Sequence, residues 1–190
     1  STLNDLTDVI SNITNFTDSI LISPDGAAPP HGTLSSATGN LGIGKDVLSA
    51  LTSGDYNITL GKDAGKSITT GSKNIFIGYQ AGDGFDAESG LIGIGEGALG
   101  GTNQGGAYNV ALGNNALLVA TSATYNIAMG QSAGQSVNTG HSNILLGPSA
   151  GYAITSGASN IAIGRNALDN ADTESHNIAI GRDALGGAIN

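Results

Sequence analysis

Residues 73–82 read KNIFIGYQAG, and residues 159–168 read SNIAIGRNAL. Both stretches carry Asn, then an apolar residue, a variable one, a second apolar residue and Gly. Aligned on that closing glycine, the phrase recurs at Gly44, Gly61, Gly78, Gly95, Gly113, Gly130, Gly147, Gly164 and Gly181. The spacing is 17 residues, with one step of 18 between Gly95 and Gly113. A strict short period means stacked copies of one small unit, each resting on the next.

The columns of the repeat define that unit. The opening Asn stands at Asn40, Asn57, Asn74, Asn109, Asn126, Asn143, Asn160 and Asn177, with Leu91 in its place once. The next column is always aliphatic, from Leu41 and Ile58 to Ile161 and Ile178, and so is the column two residues on, from Ile43 and Leu60 to Ile163 and Ile180. A step of two is the strand period, so both columns face one side. Between them stand mostly small residues, among them Gly42, Gly93, Ala111, Ala128, Ala162 and Ala179. This predicts a narrow opposite face, left uncovered by a single thin coil and suited to close packing against another chain or another sheet. Three residues past the glycine comes alanine in every repeat but the first, which has Val47, and this marks a tight inward corner. A weaker apolar column (Leu51, Ile68, Phe85, Val137, Ile154) and the turn triplets TSG, TTG, NTG and TSG at 52, 69, 138 and 155 complete the unit.

One strand, one corner, one short apolar segment and one turn in 17 residues give an all-β chain. The expected fold is a parallel β-solenoid or β-roll of nine 17-residue coils, roughly 43 Å long at the usual strand spacing. Identical residues one coil apart would stack, so the Asn column is read as an amide ladder and the Gly column as strained turns. Residues 40–190 form this repeat shaft, and residues 1–39 form an N-terminal neck and linker. The neck holds three of the four prolines and the linker-like run PDGAAPPHG at 24–32. In it Leu6, Val9, Ile13, Phe16 and Ile20 follow coiled-coil spacing, while ILIS at 20–23 favours strand, and the two readings stay open.

Composition narrows function. There are no cysteines, no tryptophans and 31 glycines, which leaves neither disulfides nor thiolate metal sites nor a large aromatic core. The net charge of −9 repels nucleic acid, and no apolar run approaches the ~18–20 residues of a membrane span. No nucleic-acid partner and no membrane insertion are expected.

The phrases NIFIGYQAG, NIAIGRNAL and NIAIGRDAL, spaced by turns such as TTGSKN and TSGASN, closely resemble the repeats of bacteriophage tail fibres. They are similar, less closely, to the coils of trimeric autotransporter adhesin heads, which are typically shorter than 17 residues. The opening LNDLTDV at 3–9 is similar to a segment found in phage fibre proteins. The resemblance implies a homotrimeric fibre on a virion, a structural role with a contribution to host attachment, no catalysis, and other fibre or tail proteins as partners. The alternative it leaves is a trimeric adhesin module on a bacterial cell surface.

Motifs that look chemical are few. GKDAGKS at 61–67 has one residue too few between Gly61 and the Gly65–Lys66 pair for a phosphate-binding loop. The pattern DxxDxE occurs twice in matching phase, as Asp83, Asp86 and Glu88 and as Asp169, Asp172 and Glu174. The sets lie five coils apart, ~24 Å, too far for one pair of hydrolytic carboxylates, but each is a candidate surface Ca²⁺ loop. No other cofactor is expected. His31, His141 and His176 fall in unlike phases. Tyr56, Tyr108 and Tyr125 share the position before the repeat Asn, and a tyrosine ladder there is the candidate receptor site, with host surface glycan as its ligand.

Overall fold

The computed structural model describes residues 9–13, 16–22, 35–101 and 105–187. Its strands are β1 (Val9–Ile13), β2 (Phe16–Ile22), β3 (Ala37–Thr38), β4 (Leu41–Ile43), β5 (Ile58–Leu60), β6 (Ile75–Ile77), β7 (Ile92–Ile94), β8 (Val110–Leu112), β9 (Ile127–Met129), β10 (Ile144–Leu146), β11 (Ile161–Ile163) and β12 (Ile178–Ile180). From β4 on, each strand pairs in parallel with the same strand of the next repeat, Ile58 opposite Ile75 and Ile144 opposite Ile161. The chain is a β-solenoid of about nine turns. Its backbone bonds run between coils outside the strands as well, as from Asp63 N–H to the Lys45 carbonyl (2.8 Å) and from Gly65 N–H to the Ala81 carbonyl (2.9 Å).

Residues 16–22 belong to this stack. β2 pairs in parallel with β4, Ile20 opposite Leu41, and β1 folds back antiparallel along its far edge. The coiled-coil spacing therefore yields strand, not helix, over the described part of the neck. The run at 24–32 and Leu6 lie outside the described residues.

The buried asparagines set the start of each strand. Asn57 donates its main-chain N–H (2.9 Å) and its side-chain amide (3.0 Å) to Oδ1 of Asn40, and the same amide reaches the Gly71 carbonyl at 2.9 Å. The pattern repeats from Asn126 to Asn143 to Asn160. Leu91 accepts no such link but still gives its N–H to Asn74 Oδ1 at 2.9 Å. Each fully buried amide is thus paired, as a polar group without water must be.

The two faces of the strand are reversed from the sequence expectation. Since Asn points inward, alternation sends the residue two further on inward as well. Leu21, Phe76, Ala111, Ala128, Leu145, Ala162 and Ala179 are the buried mid-strand positions, together with Thr59. The aliphatic columns point out: Ile43, Ile58, Ile94, Ile127, Met129 and Ile163 are 37–42% exposed. The small face is the interior, because the coil is too thin to hold a large residue from every segment. The corner alanines from Ala64 to Ala167 and Leu51, Ile68, Phe85, Val137 and Ile154 fill it, all with no exposure, and Ala184 in the last coil is half-buried against it.

Volume is shared within each coil. The position four past the closing glycine has φ between +49° and +61° throughout, and holds Leu48, Leu99, Leu117, Leu168 and Leu185 or Gly65, Gly82, Gly134 and Gly151. Leucine appears there when the mid-strand residue is Gly or Ala (Gly42, Gly93, Ala111, Ala162, Ala179), and glycine when it is Thr59, Phe76 or Leu145. A Cβ on Gly82 would fall 2.4 Å from the Phe76 ring. At Gly134, opposite Ala128, the space is taken by Leu145 and Leu117 of the adjoining coils.

Candidate functional site

The shared tyrosine position is a left-handed residue, φ +57° at Tyr56, +61° at Tyr108 and +58° at Tyr125, which turns the side chain off the rim of the strand face. Tyr108 and Tyr125 stack with centroids 5.3 Å apart and planes 11° off parallel. They are 56% and 61% exposed. One face of each ring is covered by the other, and Tyr108 also lies against Gly90, where a Cβ would come within 2.7 Å of it. Tyr56 stands apart from the pair, over Gly39. The structure therefore assembles a two-ring stack and leaves the third ring separate. Sequence reading missed Tyr79, at the opposite end of its strand, whose ring takes the Lys62 ammonium at 5.5 Å. Its signal was weak, since Tyr79 has no aromatic neighbour in phase.

The acidic pattern has a structural use. Glu88 Oε2 accepts the N–H groups of Asp86 (3.0 Å) and Ala87 (3.1 Å), and Glu174 Oε2 those of Asp172 (2.7 Å) and Thr173 (3.0 Å). Asp86 Oδ1 accepts the Thr69 hydroxyl and Asp172 Oδ1 the Thr155 hydroxyl of the coil before. These four carboxylates close turns in which neighbouring coils use glycine. Asp83 and Asp169 lie on a different stretch of the coil, so the six do not form two three-carboxylate clusters. Among the described residues no group of three or more His, Asp or Glu side chains gathers into a metal-holding set. Burial raises the Asp83 carboxyl above its ordinary range, opposed by the Lys66 charge and reinforced by Asp63.

The lysines of the GKDAGKS run face Asp63 instead of forming an anion cradle, Lys62 at 3.8 Å and Lys66 at 3.9 Å. His141 and His176 are exposed on separate coils, and His31 lies outside the described residues. No helix among the described residues is long and apolar enough to cross a membrane.

The largest surface feature is the outward stripe. It begins at Ile20 and Ile22 on β2 and runs without a polar interruption through β4 to β12, two aliphatic side chains per strand. Twenty such side chains in ten stacked strands present on the order of 1,000 Å² of apolar surface, beyond the ~300–600 Å² of the largest patch on an ordinary monomer. Comparison with protein families, with curated proteins and with solved structures gives no match.

Proposed function

We propose that the chain is a structural shaft module of a homotrimeric fibre, of the kind borne by phage tails, located on the virion. The observation that carries this reading is the uninterrupted aliphatic stripe. Water contact along its whole length is unfavourable by ~25 cal/mol per Å², and three parallel copies with their stripes turned to a common axis would remove it. Each layer of that core would hold two aliphatic side chains from each of three chains. The solenoid walls would stand outside, their asparagine ladders and inter-coil bonds giving a stiff rod. The 17-residue coil, longer than that of adhesin heads, favours the phage fibre over the bacterial adhesin.

In this reading the module spaces and aligns, and it contributes to host attachment through the outer ring face of Tyr125. The neighbouring position in the next coil is Ser142, too small to cover that face. The module has no catalytic role, and its other partners are fibre or tail proteins at its ends. Light scattering at micromolar concentration is expected to return about three times the 18.7 kDa chain mass. A monomer at that concentration would show that the stripe is not covered by copies of the chain and would remove the fibre reading.

A further inference from the structure

A two-coil unit occurs twice in the chain. Asp83–Ser89 (DGFDAES) is followed one coil on by Ala98–Gly101 (ALGG), and Asp169–Ser175 (DNADTES) by Ala184–Gly187 (ALGG). The stacked geometry puts Gly100 beside Asp83 and Gly186 beside Asp169, since each pair stands five residues past successive closing glycines. In both copies one carboxylate oxygen, Asp83 Oδ1 and Asp169 Oδ1, is buried from solvent and has no hydrogen-bond partner. These are the two such side-chain atoms among the described residues.

Around Asp169 Oδ1 the neighbours are themselves acceptors. The place a Cβ would take on Gly186 lies 3.0 Å from Asp169 Oδ1, 3.1 Å from the Asp183 carbonyl oxygen and 3.2 Å from the Asn166 carbonyl oxygen. On Gly100 the corresponding place lies 2.6 Å from the Gln80 carbonyl oxygen, the counterpart of Asn166. In both copies a side chain in place of glycine would crowd these main-chain carbonyls. A buried anionic oxygen beside main-chain carbonyls is unfavourable unless a positive charge stands between them. We propose that Asp83 and Asp169 each bind a hard, oxygen-seeking divalent cation, with Ca²⁺ as the reference ion, held between successive coils by the carboxylate and main-chain carbonyls and completed by water. The turn-closing Asp86, Glu88, Asp172 and Glu174 take no part, because one oxygen of each is already held by backbone or hydroxyl donors of the turn.

The two sites differ in the coil beneath. Lys66 lies five residues past Gly61, under Asp83, and its charge acts on that carboxyl. The same position under Asp169 is Tyr152, which carries no positive charge at neutral pH. The Asp169 site is therefore the tighter of the two, Lys66 competing with the ion at Asp83.

Calorimetric titration of CaCl₂ into the full chain at neutral pH tests this. Two ions per chain are expected, with dissociation constants on the order of 10⁻⁴ to 10⁻³ M. Asp169→Asn removes the tighter one. Gly186→Ala removes the same ion while leaving every carboxylate in the sequence: its Cβ presses on Asp169 Oδ1 and the carbonyl oxygens beside it, whereas the backbone at Gly186 lies outside the left-handed region and adds no strain of its own. Asp172→Asn leaves both ions bound, and a calcium-dependent rise in Tm tracks the same pattern. Absence of uptake by the wild-type chain up to about 10 mM Ca²⁺ would overturn the assignment. So would equal weakening by Asp172→Asn and Asp169→Asn, which marks diffuse surface charge, or unchanged binding in Gly186→Ala, which puts the ion elsewhere.

Discussion

Asn143 shows how one side chain can serve two coils. Its Oδ1 accepts the main-chain N–H (2.9 Å) and the side-chain amide (3.1 Å) of Asn160, and its own amide reaches the Gly157 carbonyl at 2.9 Å. Asn143→Ala leaves several buried groups without partners, so a loss of at least ~2 kcal/mol is expected in denaturant unfolding, against near-neutral change for the exposed Ser142→Ala. Asp83 gives a pH signature. Its folded carboxyl lies above the unfolded value of 3.8, chiefly through burial. The protonated form therefore favours folding below pH ~3.8, and that contribution is lost as pH rises through the folded value. With a chelator present, Asp83→Asn should raise Tm at pH 7 and make no difference below pH ~3.8. The residue scale was the most legible: the Asn ladder, the corner alanines and the Tyr108–Tyr125 neighbourhood all follow from phase alone. The turn-closing use of Glu88 and Glu174 was not, because nothing in a run of acids tells a solvated carboxylate from one that accepts two backbone amides.

Within a single coil, the strand, the corner and the turn were readable from period and turn residues, but the inward side of the strand was not. Alternation separates two faces without saying which is the interior, and the larger aliphatic face is inside in most proteins. The deciding signal was the asparagine, which shares its phase with the small residues and can form a ladder only where water is absent. The interior follows a volume rule that offers a clean test. Phe76→Ala should cost ~3–5 kcal/mol by opening a cavity. Combining it with Gly82→Leu recreates the pairing of Ala111 with Leu117, so the double variant should melt well above Phe76→Ala alone, a coupling readable in a double-mutant cycle. Overpacking acts the other way: Ala133 has no exposure, and Ala133→Leu should cost ~1–3 kcal/mol. Unchanged melting in Ala133→Leu would mean that the corner has room the coil does not show.

Across the whole molecule, charge gathers toward the two ends of the chain while the apolar stripe runs through every coil. No Asp, Glu, Lys or Arg occurs between Glu96 and Arg165, so over those coils the stripe is flanked by neutral side chains. Association through it should persist in 1 M salt, where the screening length falls to ~3 Å, while Ile127→Lys with Ile144→Lys should yield a folded monomer by light scattering and circular dichroism. Nearly the same pair of aliphatic side chains meets every rung of the stripe, and this has a mechanical consequence. Sliding one copy past another by a rung, ~4.8 Å, brings back almost the same contacts, less those that overhang at the ends. The stripe is a rack with many notches of similar depth, able to hold copies together without saying how far along each should sit. A single alignment has to be indexed by features that do not repeat, and the coil between Gly95 and Gly113, one residue longer than the others, is such a mark. Three copies bring their long coils to one level at only one offset, so a fibre built from this module would read its own irregularity as the stop.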